Sequence, residues 1–569
     1  MIAIVVIVSI VVLAAGYFTY GRFVSRRLEL DDSRPTPACE MQDGVDYVPA
    51  KAPLLLGQHF SAIAAAGPIV GPILAGIWFG WLPALLWILL GAIFIGGVHD
   101  FTSLVASVRH KAASIGEIVK RYMSRTSQIL FLVFVWLALV YVIIAFTDIT
   151  AASFVHRSEA LEGVDIGFNP GGAVAAASTM YLLLSVIMGF VQRYLKPPLW
   201  LVTIIFVPAT LGVAWFGTYM SNLLVMNAVT WGILILIYCA VASMVPVWSL
   251  LQPRGYLGGF VLFMALGLGV IGMFFGGYEI KQPMFITWDA GGMTGTLFPF
   301  LFVTIACGAC SGFHGLVCSG TTSKQIERES HMKPVGYGAM LAEGFVALIA
   351  MVTIMMLTQD EVGGLKPGTI YGNGIGRFMT LLIGEGNLPF AITFGAMAFS
   401  TFVFDTLDVC TRLARYIIQE LINRRGHFSG LLATIGTIAI PIYFIAGAEE
   451  GSWIKFWTLF GASNQLLAAL TLLSITVWLY RARKRIAFTL FPMLFVLTIT
   501  LWALGKIAIA NIRAAEGFNL ATVNAAASVV LIVLAVYLTI AGIMKWWRAD
   551  RLPVGFENGG GPEASEEVS

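Results

Sequence analysis

Apolar runs of 17 to 25 residues recur from one end of the chain to the other. Fifteen are read: 1–20, 58–78, 81–105, 128–148, 171–191, 198–216, 226–247, 257–276, 297–318, 336–357, 389–408, 431–447, 455–480, 487–507 and 525–545. Each is the length a helix needs to cross a bilayer. The strict alternation of a barrel strand is missing, and open strands in lipid would leave backbone groups unpaired. The pattern predicts an all-α polytopic membrane protein with about fifteen transmembrane helices. The first run has no basic start and is followed by Arg22, Arg26 and Arg27, so it reads as a retained span and not as a signal peptide.

Composition agrees. Of 569 residues, 58% are apolar and 11% charged, against about 25% charge in a soluble domain. A soluble enzyme of this composition would lack a polar surface. A net charge of +3 gives no reason to expect nucleic acid. The six cysteines fall mostly in apolar runs and do not describe a disulfide framework.

Lys and Arg set the orientation. The loops 21–57, 106–127, 192–197, 248–256, 319–335, 409–430, 481–486 and the tail hold 27 of the 34 basic residues. They are placed in the cytoplasm, which puts the N-terminus outside and the C-terminus inside. Residues 549–569 are acidic and Gly-rich and read as a disordered cytoplasmic tail.

Two runs are abnormal. Gly and Pro interrupt the first at Ala66-Gly67-Pro68-Ile69-Val70-Gly71-Pro72 and Gly the second at Cys307-Gly308-Ala309-Cys310-Ser311-Gly312. Broken backbone at membrane depth is tolerated only where it is buried or lines a cavity. The two runs cross in opposite senses, which is the pointer to inverted repeats with a binding site between two discontinuous helices.

Long stretches then resemble one family. DGVDYVPA (43–50), QHFSAIAAAGPIVGPILA (58–75), GGVHDF (96–101), TIACGACSGFHGLVCSGTTSKQ (304–325), TLDVCTRLARYIIQE (406–420) and FGASNQLLAA (460–469) resemble the carbon starvation protein A family, bacterial peptide and pyruvate carriers. Gln58 departs from it, since the family often has a second His there. The resemblance implies a bacterial inner-membrane carrier with a core like that of the amino acid–polyamine–cation superfamily, two inverted five-helix repeats. The expected division is a first helix and cytoplasmic loop at 1–57, repeat one at 58–216, intervening helices at 217–296, repeat two at 297–480, C-terminal helices at 481–548 and the tail. Residues 369–384 are expected to form either a short helix in an external lid or a surface loop.

The candidate residues follow from both lines. A half-helix N-terminus suits a carboxylate, so Gly67, Pro68, Gly71, Ser311, Gly312, Phe313, His314, Ser319, Gly320 and Thr321 are expected at the substrate. Charged groups near the bilayer centre are functional candidates by default, among them Glu343, which has no near partner in sequence, and Asp405, which can also be a helix-end residue facing water. His59 and His314 lie in or beside the breaks, and His99-Asp100 pairs a titratable ring with a carboxylate, so these four are expected to handle a coupling proton. Asp408 is either a coupling residue or an i,i+4 partner of Arg412. Ser400 and Thr401 match the helix that holds a coupling cation in the superfamily, which keeps sodium as a rival to the proton. Asn464 and Gln465 are expected first to tie helices together. No bound cofactor is expected. The competing reading is a metal-containing membrane enzyme or sensor built on His59, His99, Asp100 and His314. No GxxxxGK[ST] loop supports ATP-driven transport.

Overall fold

In a computed structural model, the residues described are 1–43, 47–64, 66–155, 168–291, 295–424, 426–447, 453–517 and 519–547. The expected tail, 549–569, lies outside them. The helices are α1 (Ile2–Phe18), α2 (Tyr20–Leu28), α3 (Ala52–Ile63), α4 (Gly67–Phe79), α5 (Trp81–Arg109), α6 (Ile115–Tyr122), α7 (Arg125–Ser153), α8 (Pro170–Leu195), α9 (Leu199–Tyr219) and α10 (Ala228–Met244). There follow α11 (Leu251–Phe275), α12 (Leu297–Thr304), α13 (Gly312–Gly320), α14 (Ala339–Met355), α15 (Pro367–Ile383), α16 (Leu388–Leu421), α17 (His427–Ala446), α18 (Trp453–Arg481), α19 (Ala487–Arg513) and α20 (Leu520–Trp547). Every one of the fifteen apolar runs falls on one of these helices or on a broken pair.

Among the described residues, twelve helices are by themselves long and apolar enough to cross a membrane, and the bent pair α3/α4 makes thirteen. The other two runs are α10, which is short, and α12/α13, which is interrupted. Length and composition alone do not establish either as a crossing, so the count of fifteen stands on the pattern only.

Both interruptions are present. Helices α3 and α4 meet at 51°. Helix α12 ends at Thr304 and α13 starts at Gly312, with Ile305 to Ser311 non-helical. The breaks touch. A Cβ on Gly67 would lie 2.3 Å from Cys307 Sγ, and one on Gly71 would lie 2.5 Å from the Thr304 carbonyl. Only glycine permits so close an approach.

An interrupted helix in lipid frees carbonyls that must find donors. Here side chains from other helices supply them. Gln465 Nε2 donates to Phe302 O at 2.8 Å, Trp457 Nε1 to Thr304 O at 3.3 Å, and Trp87 Nε1 to Ile305 O at 3.0 Å. At the far side of the break, the Phe313 N–H donates to Asn464 Oδ1 at 3.0 Å. The expectation that Asn464 and Gln465 tie helices together holds. Helix α5 contains a π-turn, Ala92–Gly96, and the Tyr337 hydroxyl donates to Ile93 O at 2.7 Å. His99 and Asp100 follow directly after this turn, where such bulges often mark functional positions.

The packing is paired. Helices α7 and α16 lie together at the centre, and α10 and α17 each touch both of them. Helix α11 packs on α3 and α16, and α18 packs on α12, α13 and α7. Helix α4 packs on α14, as α13 packs on α5. Helices α8 and α9 pack on each other and on α16. Helix α15 settles the 369–384 segment as a helix. Gly368, Gly372 and Gly376 form a stripe along it, and Cβ atoms there would meet Phe399, Ala396 and Ile392 of α16 within about 3 Å, the small-residue contact typical of membrane helices.

Loss of a donor at the second break is expected to destabilise the fold. Gln465→Leu leaves the buried Phe302 carbonyl unsatisfied, at about 1–3 kcal/mol. The check is a lowered thermal unfolding midpoint in detergent. An unchanged midpoint for Gln465→Leu would remove the bond from the account.

Candidate functional site

The structure gathers most of the sequence-expected ionisable residues into one buried cluster. His314 of α13 stands at its centre. Its Nδ1 lies 2.8 Å from Asp100 Oδ2 and its Nε2 lies 3.2 Å from Glu343 Oε2. Asp100 Oδ1 lies 2.7 Å from His99 Nδ1. His59 Nδ1 lies 2.8 Å from the Thr322 hydroxyl, and Cys318 Sγ reaches both His59 Nε2, at 3.8 Å, and the Asp100 carbonyl, at 3.5 Å. All five ionisable side chains are sealed from solvent. The cluster joins α3, α5, α13 and α14, so it touches one half of each broken helix. Glu343 stands in a run rich in small residues, and only its lack of a sequence partner marked it. His99 Nε2 and both Glu343 oxygens have no hydrogen-bond partner among the described residues, so His314 Nε2 and Glu343 Oε2 face each other at ion-pair distance only.

Among the described residues, no group of three or more His, Cys, Asp or Glu side chains is arranged to hold a metal. Nδ1 of His99 and both ring nitrogens of His314 are directed at carboxylates instead. The cysteines of the C-x-x-C, Cys307 and Cys310, are free.

The expected substrate residues divide. Gly67 and Gly71 do not face open space; each is pressed on the opposite break. Gly312 is pressed on α18, where a Cβ would lie 2.4 Å from Asn464 O. A Cβ on Gly308 would lie 2.7 Å from Ala347 Cβ, and Pro68 lies against the same glycine. Of these glycines only Gly320 has open space around it. The physical reason is that two interrupted helices can meet only through residues without side chains, so the glycines serve the contact. Ser311 is bonded to Asn464 at 3.0 Å, and Ser319 to its own helix at Gly315 O, 2.8 Å. Phe313 is half-buried and Thr321 exposed. Asn464 thus caps the N-terminal end of α13.

Ser400 and Thr401 are buried on α16. The Ser400 hydroxyl lies 2.7 Å from that of Ser178 on α8, and Thr401 Oγ1 has no partner among the described residues. Ser400 is therefore engaged as an interhelical hydrogen-bonder.

Asp408 corrects the sequence reading. Its expected partner Arg412 donates instead to the Ala242 and Val245 carbonyls at the end of α10, at 2.6 and 2.8 Å. Asp408 pairs with Arg254 of α11 and accepts from the Tyr238 hydroxyl at 2.7 Å. Arg254 also meets Asp405 Oδ1 at 2.6 Å and donates to Phe404 O at 3.0 Å. Arg254 had been counted in the cytoplasmic loop 248–256, yet it is buried. Sequence reasoning missed it because one basic residue beside a span looks like an ordinary flank. The available signal was Asp405 and Asp408, three apart on one helix face, two carboxylates for the single nearby cation Arg412.

Removal of the cation is expected to be severe. Arg254→Leu strands two carboxylates, at about 3–5 kcal/mol, and the yield of monodisperse protein should collapse. Combining it with Asp405→Asn and Asp408→Asn should restore the yield. A single Arg254→Leu variant as stable as its parent would show that the pairs do not hold the seam.

The family model "Carbon starvation protein CstA" matches residues 1–373 and 365–503. A "Peptide transporter CstA" of Campylobacter jejuni is 33% identical over 87% of this chain and 79% of its own length. A "Pyruvate/proton symporter BtsT" of Escherichia coli is 30% identical over 90% of this chain and 82% of its own. Among solved structures, an Eremococcus coleocola manganese transporter aligns with a TM-score of 0.45 at 12% identity, over 89% of this chain and 99% of that one. On the match of the family model across most of the chain, this protein belongs to the carbon starvation protein CstA family.

Proposed function

We propose that the protein is a secondary carrier, not an enzyme, that imports small carboxylate-bearing solutes, peptides or pyruvate, together with a proton by alternating access. The relatives named for peptide transport and for pyruvate/proton symport support the substrate class. The bacterial inner membrane and an outside N-terminus fit the relatives and the distribution of basic residues. The observation that carries the mechanism is the contact of the two broken helices beside the His59, His99, Asp100, His314 and Glu343 cluster. His314 faces a carboxylate with each ring nitrogen, and it presents an N–H to both only as an imidazolium. One imidazolium and two carboxylates leave one excess negative charge in a sealed site. An added proton removes it, with His99 Nε2 and Glu343 Oε1 as the open positions. Asn464 now caps α13; a substrate carboxylate competes for the same N–H end when the breaks part.

The packing supports two inverted repeats of five spans: α3/α4, α5, α7, α10 and α11, and α12/α13, α14, α16, α17 and α18. Helices α8 and α9 are then an inserted pair, which moves the first repeat from 58–216 to a discontinuous set ending at α11. Insertion of two spans leaves every later orientation unchanged.

Two measurements test this. In proteoliposomes, an imposed pH gradient should drive accumulation of labelled pyruvate or trialanine, and His314→Gln and Asp100→Asn should reduce it at least about ten-fold, the scale of a lost proton-transfer group. Accumulation driven only by sodium and indifferent to His314→Gln would move the coupling site to Ser400 and Thr401. In intact cells, Glu279→Cys should react with an impermeant thiol reagent and Asn423→Cys should not; the reverse pattern overturns the topology.

A further inference from the structure

The buried charges at the seam between α11 and α16 do not balance. One guanidinium, Arg254, faces two carboxylates, Asp405 and Asp408. The other groups facing them are neutral: the phenols of Tyr181 on α8 and Tyr238 on α10, and the thiol of Cys239. Arg412 is one turn further along α16, but it is bonded to the two carbonyls that end α10 and answers that helix's own negative end. The N-terminal end of α11 supplies at most about half a positive charge. Asp408 Oδ1 is buried and has no hydrogen-bond partner among the described residues. A bare carboxylate oxygen in such surroundings is costly. A proton cancels the excess charge and needs only the room of an O–H. A metal cation would have to share both carboxylates with the guanidinium that already bonds them.

We propose that Arg254, Asp405 and Asp408 form a second proton site, separate from the histidine cluster, so that two protons move with each substrate and transport is electrogenic. This rests on the proton-coupled carrier reading above. The Asp405 side chain is 20% exposed while that of Asp408 is sealed, so Asp405 is the face through which the proton reaches the pair. Parting of α11 from α16 opens the site and releases the proton. Pyruvate with two protons carries one net positive charge inward. Zwitterionic trialanine with two protons carries two.

The test is uptake in proteoliposomes at equal pH on both sides, with a potassium diffusion potential of about 100 mV, negative inside. The parent should accumulate labelled pyruvate up to roughly 40-fold, the effect of one charge at that potential. Asp408→Asn keeps the shape of a protonated carboxyl and balances Arg254 against Asp405. It should lose the response of pyruvate uptake to potential while a pH gradient still drives uptake, and its trialanine uptake should fall from two charges to one. Asp405→Asn makes the same change of charge and is read in its place if Asp408→Asn does not reach the membrane. Pyruvate uptake by the parent that follows the pH gradient but ignores the potential overturns the second site. So does an Asp408→Asn carrier as sensitive to potential as its parent. A parent that accumulates neither solute under a pH gradient overturns the carrier reading, and this inference with it.

Discussion

Backbone that is not helical inside a membrane must find hydrogen-bond partners within the protein, and the arrangement of this molecule follows from that requirement. The segment Ile305 to Ser311 has no helix of its own to satisfy it. Trp457 and Gln465 of α18 and Trp87 of α5 take the carbonyls of Phe302, Thr304 and Ile305, and Asn464 takes the Phe313 N–H. These four side chains fix α5 and α18 against the break. With α5 in place, His99 and Asp100 follow the π-turn and arrive beside His314.

The same requirement explains the glycines. A break held by its neighbours is a rigid object, and a second break reaches it only through residues without side chains. Gly67 and Gly71 on one side meet Cys307 and Thr304 on the other. The state seen is closed at this point. In the proposed mechanism a substrate carboxylate enters when the breaks separate, and separation uncouples the sealed histidine cluster from at least one of its helices. Under that mechanism burial of charge and movement of helices are linked: the groups proposed to change protonation lie on the elements proposed to move.

Two charge clusters divide the interior. One joins α3, α5, α13 and α14, and the other joins α11 and α16. The second sets two carboxylates against one guanidinium. On the cytoplasmic side of the sequence-derived topology, a third network has the opposite character. Arg109 and Arg34 both meet Glu329, and Arg109 also holds the Leu28 carbonyl. Here the cations suffice, and the loop after α13 is clamped to the start of the chain.

The sequence by itself determined the class of fold, the helical runs and the two breaks, because a span of lipid imposes a length of apolar chain and because Gly and Pro interrupt helices wherever they crowd. It also named His59, His99, Asp100, His314 and Glu343, since an ionisable group in an apolar run is visible without coordinates. It did not determine which charge meets which. Asp408 looked paired with Arg412 four residues on, and only the packing of α11 on α16 brought Arg254 to it across 154 positions of chain. The glycines were legible as sites of close approach, but not what approaches them. Nor was it visible that α10 packs on both helices of the central pair, while α8, α9 and α11 pack on α16. Periodicity and composition record how each helix meets its solvent. The partner of a helix depends on contacts between distant segments, and those exist only once the chain has folded.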